Sequence, residues 1–235
     1  MLLPLLFWTL LLIPGCAVAR RLFPRELEGG LLPSIAFSWA CAFGALAFPI
    51  ILGYLVGMSM GAAVLMVGGF VLWGAVDLLR TGAWRGLGRV LLASIGIEIA
   101  LVVAEMVFSF RHGSILAADA RVHLARIRFL YDNGLLNVDP FIEVAYPYPI
   151  YHTNFLHAIS AIGSRMLGVD PLLFWFGSLP AAKLMIASGM AYLAWAVLGG
   201  RWAPWVVAVM VLVDRGPVSF SIYPNQLAQI GRAHV

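Results

Sequence analysis

Apolar runs long enough to cross a lipid bilayer dominate the sequence and constrain the fold more than any other feature. A membrane-spanning helix needs about 20 mostly apolar residues. Five runs reach or approach that length and a sixth begins near the C-terminal end: residues 1–19, 31–54, 62–79, 90–108, 172–198 and 205–213. Only 11% of the residues are charged, whereas a soluble domain carries about 25%. The sequence therefore predicts an all-α, polytopic transmembrane helical protein embedded in the lipid bilayer.

Arginines gather in the short connections after the first, third and fifth runs, and they predict the orientation of the chain. They are Arg20, Arg21, Arg25, Arg80, Arg85, Arg89 and Arg201, whereas the turn at residues 57–61 carries no charge. Short basic loops stay on the cytoplasmic side. The N-terminus and residues 111–170 are then extracytoplasmic, in a multi-pass protein of the inner (plasma) membrane. The scattered arginines and a net charge of +4 do not indicate nucleic-acid binding.

The chain divides into four parts along its length. Residues 1–110 hold four N-terminal transmembrane helices, of which the first is retained and not a signal peptide, because its basic residues follow the apolar run. Residues 111–170 form a large outer loop with an amphipathic surface helix. Residues 171–229 hold the fifth transmembrane helix, with a kink expected at Pro180, and an incomplete sixth. Residues 230–235 resemble a translated sequencing adapter, so we expect the native chain to continue beyond them.

The outer loop contains four of the five histidines, and its first half predicts an amphipathic helix over residues 116–133. Apolar residues recur there along one stripe at helical spacing: Leu116, Ala120, Leu124, Ile127 and Tyr131. Asp119, His123 and Arg126 form a second stripe beside it, at spacings of four and three residues. Arg121 and Arg128 are predicted to point away, toward water or lipid headgroups.

The three residues of the second stripe have the side chains that transfer chemistry needs. The carboxylate of Asp119 can deprotonate a hydroxyl or hold a divalent cation, and His123 can share that metal or hydrogen-bond the carboxylate. The guanidinium of Arg126 can bind a phosphate through two hydrogen bonds. The same spacing also fits a capped interfacial helix, in which Asp119 stabilises the helix dipole and the other two side chains are solvated.

A strip of tyrosines and prolines follows, in which the prolines enforce an extended, rigid chain. It comprises Tyr146, Pro147, Tyr148, Pro149, Ile150 and Tyr151, followed by His152 and Asn154. Such a strip can line a site for a sugar or a lipid headgroup, with His152 and Asn154 as polar contacts, or it can be an interfacial anchor. Pro149 can begin a helix that runs through His157, expected to be buried in packing, to Arg165.

Charged side chains also lie within or beside the apolar runs. Glu98 and Lys183 lie near the middle of the fourth and fifth spans, where each alone costs roughly 3 kcal/mol, so we predict that they form a structural pair. Glu105 lies seven residues after Glu98 on the same helical face, close to the outer surface, and can face the same cavity as Asp119. Asp77 lies at the inner interface and is predicted to be solvated.

These motifs resemble the GT-C class of polytopic glycosyltransferases, especially uncharacterised bacterial members related to the protein mannosyltransferases. The resemblance is carried by the surface helix Asp119-x-x-x-His123-Leu-Ala-Arg126, the Tyr/Pro/His strip, and a leader with Ile13-Pro-Gly15 and Arg20-Arg-Leu-Phe-Pro24. It implies that an acidic residue of the first large outer loop, here Asp119, is the base or a metal ligand. It also implies a polyprenyl-phosphate-linked sugar as donor. This chain departs from the class in placing the loop after the fourth span, where the class commonly has it after the first.

The expected function is therefore transfer of a hexose from a polyprenyl-phosphate donor on the outer face of the membrane. A divalent cation is a candidate cofactor. In this interpretation Asp119 and His123 are catalytic, and the substrate-binding residues are Arg126, Tyr146, Tyr148, Tyr151, His152, Asn154 and Glu105. The alternatives are a non-enzymatic transporter or flippase subunit that uses Glu98 and Lys183, and a protein similar to an O-antigen ligase or polymerase. Charges at the membrane midplane favour transport, whereas charges gathered at the outer surface favour transfer.

Overall fold

Helices make up nearly all of the chain that the computed structural model describes, which is residues 2–24, 27, 30–108, 118–136, 154–200 and 202–213. In chain order they are α1 (Leu2–Leu22), α2 (Leu31–Val56), α3 (Met60–Arg80), α4 (Trp84–Phe108), α5 (Ala118–Asn133), α6 (Phe155–Leu167), α7 (Pro171–Gly177), α8 (Leu179–Leu198) and α9 (Ala203–Val213). Stretches long and apolar enough to cross a membrane lie in α1, α2, α3 and α4, and across α7 and α8. The predicted all-α, polytopic architecture is confirmed.

The connection between α3 and α4 is shorter than the sequence predicts. The apolar runs predict a loop between residues 79 and 90, but α4 already begins at Trp84, so Arg89 lies within a helix. Arginine is a good helix former, and its long side chain can carry the charge toward the membrane surface. The turn between α2 and α3 lies where the sequence places it, and Gly57 there adopts the left-handed conformation (φ 65°).

Helix α1 is the most buried of these membrane-spanning stretches and packs against α2, α3 and α4. Small residues let the backbones approach closely, as is typical of membrane helices. A Cβ atom added at Gly15 of α1 would lie 1.9 Å from the carbonyl oxygen of Ser38 in α2. One added at Gly74 of α3 would lie 2.5 Å from Cα of Pro14. A side chain at either glycine would therefore push α1 away from its neighbours.

The fifth span is broken into α7 and α8 at Ser178. Pro180 lies in the first turn of α8, where its missing N–H loses no helical hydrogen bond, so the helix is interrupted close to the residue at which the sequence predicts a kink. The Ser178 hydroxyl donates to the carbonyl oxygen of Phe174 and accepts a 2.7 Å hydrogen bond from the indole nitrogen of Trp8. The first half of α1 is thereby fixed to the break in the fifth span.

The two ends of the helix bundle differ in character. Helix α5 ends against the turn between α2 and α3, where Leu135 and Met58 form an isolated backbone bridge. Near the other end of α3, about 25 Å away by helical rise, Arg21 of α1 forms an ion pair with Asp77. The prediction that Asp77 is solvated is wrong, because its side chain is only 7% exposed against Arg21. The end of α5 and this ion pair thus lie at opposite ends of the bundle.

Candidate functional site

The buried face of α5 carries the polar residues that the sequence places at its edge. This helix packs against α6, α7 and α3. Its buried side chains, within the described part, are His123, Arg126, Ile127 and Leu130. Leu124 and Tyr131 of the predicted apolar stripe are only half-buried. Since His123 and Arg126 are 9% and 7% exposed, the alternative in which both are solvated on an interfacial helix is wrong.

His123 lies opposite a second buried histidine. Its Nδ1 atom is 2.7 Å from Nε2 of His157 in α6, and the two ring centroids are 4.9 Å apart. His157 is buried, as the sequence predicts, but the sequence pattern does not foresee its hydrogen bond to a residue 34 positions earlier. The sequence evidence for this pairing is weak, because it consists only of one histidine in each of the two helices predicted for residues 111–170.

The start of α6 fixes the position of His157. The side chain of Asn154 caps this helix, since its Oδ1 accepts hydrogen bonds from the backbone nitrogens of Leu156 (3.0 Å) and His157 (3.2 Å). The Tyr54 hydroxyl of α2 donates a 3.2 Å hydrogen bond to the carbonyl oxygen of Asn154. Asn154 itself is extended (φ −79°, ψ 112°), as is typical of a capping residue. The prediction that this helix begins at Pro149 is therefore wrong.

One aromatic ring contacts the histidine pair, and others pack farther along α6. The indole of Trp175 in α7 is stacked on the His123 ring, with centroids 6.0 Å apart and an interplanar angle of 16°. The rings of Phe7 and Phe174 meet edge to face, with centroids 5.6 Å apart. A Cβ atom added at Gly163 of α6 would lie 2.6 Å from Phe174 and 2.8 Å from Phe7. The pair itself is buried, with His123 9% and His157 1% exposed, and hydrogen bonds are electrostatically stronger in buried surroundings than in water.

The surroundings keep His157 neutral. Burial, followed by the interactions with His123 and Arg126, lowers the pKa of His157 from 6.5 to about 3. At neutral pH its Nε2 therefore either donates or accepts one hydrogen bond, and His123 takes the opposite role at Nδ1. Any proton transfer to or from a substrate at His123 then falls to its second ring nitrogen, Nε2.

An exposed ion pair ties α5 to the N-terminus of α7. Nη1 of Arg128 lies 2.5 Å from one carboxylate oxygen of Asp170, and the other oxygen accepts a 2.8 Å hydrogen bond from the backbone nitrogen of Leu172. The hydrogen bond from Arg128, followed by the one from Leu172, lowers the pKa of Asp170. Arg128 is exposed, as the sequence predicts. This exposed ion pair links the two helices that supply His123 and Trp175 but contributes little to their stability.

Several predicted site residues fall outside what the structure describes. Helix α5 contains Asp119 one turn before His123, but the side chains of Asp119 and of Glu105 in α4 are among those left undescribed. The same holds for the whole aromatic strip: Tyr146, Tyr148, Tyr151 and His152. In the described part of the chain, no group of three or more His, Cys, Asp or Glu side chains is placed to hold a metal ion. The roles assigned to these residues stay predictions.

Glu98 of α4 is buried, but it faces α1 and not Lys183. Its carboxylate accepts hydrogen bonds from the hydroxyls of Thr9 in α1 (3.1 Å) and of Ser94 (3.4 Å). The ion pairs formed between described residues do not include Glu98 with Lys183, so the predicted structural pair is wrong. Lys183 is half-buried in α8 and has an interaction of its own. Equal depth in the membrane does not decide which way a side chain points.

Comparison with known proteins identifies no relative, since no family model, curated protein or solved structure matches the chain. The resemblance to the GT-C glycosyltransferases accordingly rests on the short motifs of residues 111–170 and of the N-terminal leader. The geometry around His123 is the stronger basis for a functional proposal.

Proposed function

We propose that the protein is an integral membrane glycosyltransferase that moves a hexose from a polyprenyl-phosphate donor at the outer face of the membrane. The observation that carries this proposal is the buried cluster of His123, His157 and Arg126, at the end of the bundle away from the ion pair of Arg21 with Asp77. Ionisable side chains buried within a membrane protein commonly mark a substrate or proton pathway.

Three residues of α5 have distinct proposed roles. Asp119 precedes His123 by one helical turn, so the two belong to the same helix face, and the proposed role of His123 is to hydrogen-bond the Asp119 carboxylate or to share its metal. Asp119 removes the proton of the acceptor hydroxyl, or holds a divalent cation that activates it. Arg126 belongs to the same face, and its guanidinium suits the phosphate of the donor.

The proposed reaction exchanges one bond at the anomeric carbon of the sugar. The acceptor oxygen forms a bond to this carbon as the bond from the carbon to the phosphate oxygen breaks. The hydroxyl proton passes to Asp119, and polyprenyl phosphate leaves with its charge paired to Arg126. The polyprenyl chain lies in the bilayer, against the apolar surface of the membrane-spanning helices.

The segment between α5 and α6 supplies the proposed acceptor side of the site. The residues assigned there are Tyr146, Tyr148, Tyr151 and His152, together with Glu105 of α4. Asn154 has less support as a substrate contact, because its Oδ1 is occupied in capping α6. Its proposed role is now to place His157.

The contacts of Glu98 favour transfer over transport. The transporter or flippase alternative relies on an ion pair of Glu98 with Lys183 at the membrane midplane, whereas the carboxylate of Glu98 is hydrogen-bonded to Thr9 and Ser94. Among the described residues, the buried charged or histidine side chains other than Asp77 and Glu98 are His123, Arg126 and His157, which lie in α5 and α6 near one end of the bundle. This arrangement suits chemistry at a membrane surface.

A donor-cleavage assay tests the proposal. The full-length protein in proteoliposomes is given a panel of radiolabelled polyprenyl-phosphate hexoses, and the release of polyprenyl phosphate is measured. Asp119→Asn should lower the turnover of the donor that is used by at least about 100-fold, with nearly unchanged folded yield. The matched control is Asp132→Asn, which alters an exposed carboxylate of the same helix and should retain wild-type turnover. The proposal fails if the wild type cleaves none of the donors or if Asp119→Asn turns over at the wild-type rate.

A further inference from the structure

The geometry points to His157 as the positioning residue of this site, which holds the His123 ring in one orientation and one tautomer. The inference rests on the proposed function in so far as His123 takes part in the transfer. His157 acts through His123 and does not itself meet the substrate. It belongs to α6, outside the surface helix to which the sequence assigns the chemistry.

Contacts from three directions fix the two rings. The cap at Asn154 and the hydrogen bond from Tyr54 hold the first turn of α6, which carries His157. Trp175 is stacked on the other ring. Rotation of the His123 ring by half a turn would put a carbon atom in the place of Nδ1 and would lose the 2.7 Å contact with Nε2 of His157. The ring therefore has one favoured orientation.

The same contact couples the tautomer of His123 to that of His157. His157 stays neutral over the physiological pH range. A single proton is therefore shared between Nδ1 of His123 and Nε2 of His157. Which ring nitrogen of a histidine carries the proton is set by the hydrogen bond that the other nitrogen makes. His157 thereby decides whether Nε2 of His123 meets a substrate as a donor or as an acceptor.

Two substitutions at His157 separate positioning from packing. His157→Gln places an amide near the former Nε2 and can donate or accept by rotating, whereas His157→Leu fills space without a hydrogen bond. His157→Leu should lower kcat by about 100-fold with little change in the KM for the donor, and His157→Gln should recover most of that loss. Ile162→Ala, which alters another fully buried residue of α6, is the packing control and should lower thermal stability more than kcat.

Nuclear magnetic resonance of the full-length protein, labelled with ¹⁵N-histidine, tests the same inference without any activity. In the wild type a scalar coupling should join Nδ1 of His123 to Nε2 of His157, and the His123 nitrogens should show the shifts of one tautomer. In His157→Leu the shifts should move toward the average of two tautomers.

The outcomes are distinct. A missing coupling, or His123 shifts unchanged in His157→Leu, overturns the inference whether or not the protein transfers a sugar. Wild-type kcat in His157→Leu, or equal losses in the Leu and Gln variants, also overturns it. The coupling together with absent turnover in the wild type would instead uphold the pairing and reject the glycosyltransferase proposal.

Discussion

The backbone nitrogen of Leu135 donates a 2.8 Å hydrogen bond to the carbonyl oxygen of Met58. This bond fixes the end of α5 to the turn between α2 and α3, and Gly134 beside it adopts a φ of 88°. A Cβ atom at Gly134 would lie 2.7 Å from the same carbonyl oxygen, so the close approach requires a glycine there. Helix α5 and the turn between α2 and α3 therefore lie at the same end of the bundle.

Thiol labelling in intact cells should place these two segments on the outer side. In a background without Cys16 and Cys41, single cysteines replace Gly61 and Asn133, which are exposed near this end, and Thr81, which is exposed near the other end. We expect an impermeant reagent to label Gly61→Cys and Asn133→Cys in intact cells and Thr81→Cys only after lysis, because the basic connections stay in the cytoplasm.

The contrary labelling patterns have different meanings. Labelling of Gly61→Cys and Asn133→Cys from different sides would contradict the bridge between Leu135 and Met58. Protection of both until lysis would leave the bridge intact but invert the orientation, and the proposed outer-face reaction would fail with it.

A double-mutant cycle should locate the partner of Glu98. Because the carboxylate accepts a hydrogen bond from Thr9, Thr9→Val and Glu98→Gln should couple by about 0.6 kcal/mol, the usual size for such a bond in a membrane protein. Lys183→Met and Glu98→Gln should be additive within error. Unfolding in sodium dodecyl sulfate measures both cycles. Strong coupling with Lys183 and none with Thr9 would restore the ion pair that the sequence suggested.

Hydropathy and helical periodicity are sufficient to predict the spans, the helix that becomes α5 and the break near Pro180, because each follows from residues close together in the chain. The rotation of a helix about its own axis relative to its neighbours does not follow from residues close together in the chain. Glu98 and Lys183 have similar depth, yet Glu98 faces α1. The inner face of α5 depends on how this helix packs against α6 and α7, so the periodicity alone misplaces His123 at the edge.

The pairing of His123 with His157 cannot be predicted from the sequence for a related reason. A buried histidine in a short amphipathic helix is ordinarily a packed core residue, and nothing local distinguishes His157 from that case. Its partner becomes evident only when the cap at Asn154 sets the first residue of α6 and when α5 and α6 pack side by side.

Because burial keeps His157 neutral in the folded protein, mild acid should lower the stability of the protein. Its pKa of about 3 in the folded protein is below the ordinary value of 6.5, so the unfolded chain takes up the proton first as the pH falls. The stability that comes from neutral His157 is fully present above pH 6.5 and is lost as the pH falls from 6.5 toward 3. Between pH 7 and pH 5 the loss amounts to about 2 kcal/mol.

The matched variant for this prediction is His157→Gln, which cannot titrate at this position. Thermal denaturation of both proteins at pH 7 and pH 5 gives the comparison, and the contributions of titrating groups that do not interact with His157 cancel in it. We expect the wild type to lose more stability than His157→Gln over this interval. Equal losses would mean that His157 is protonated in the folded protein.

The last prediction concerns the donor phosphate and Arg126. Arg126 is buried in α5, and a hydrogen bond from a guanidinium to a phosphate contributes about 1.5–3 kcal/mol. Arg126→Ala should therefore raise the KM for the polyprenyl-phosphate donor by roughly 10- to 100-fold and lower kcat much less. Arg128→Ala, which removes an exposed guanidinium two residues later that pairs with Asp170, should leave both constants near their wild-type values. Steady-state kinetics in proteoliposomes, with thermal stability measured alongside, decides the matter. If Arg126→Ala lowers kcat at an unchanged KM, or if Arg128→Ala has the same effect on KM, the guanidinium of Arg126 does not bind the donor and its role in α5 is structural.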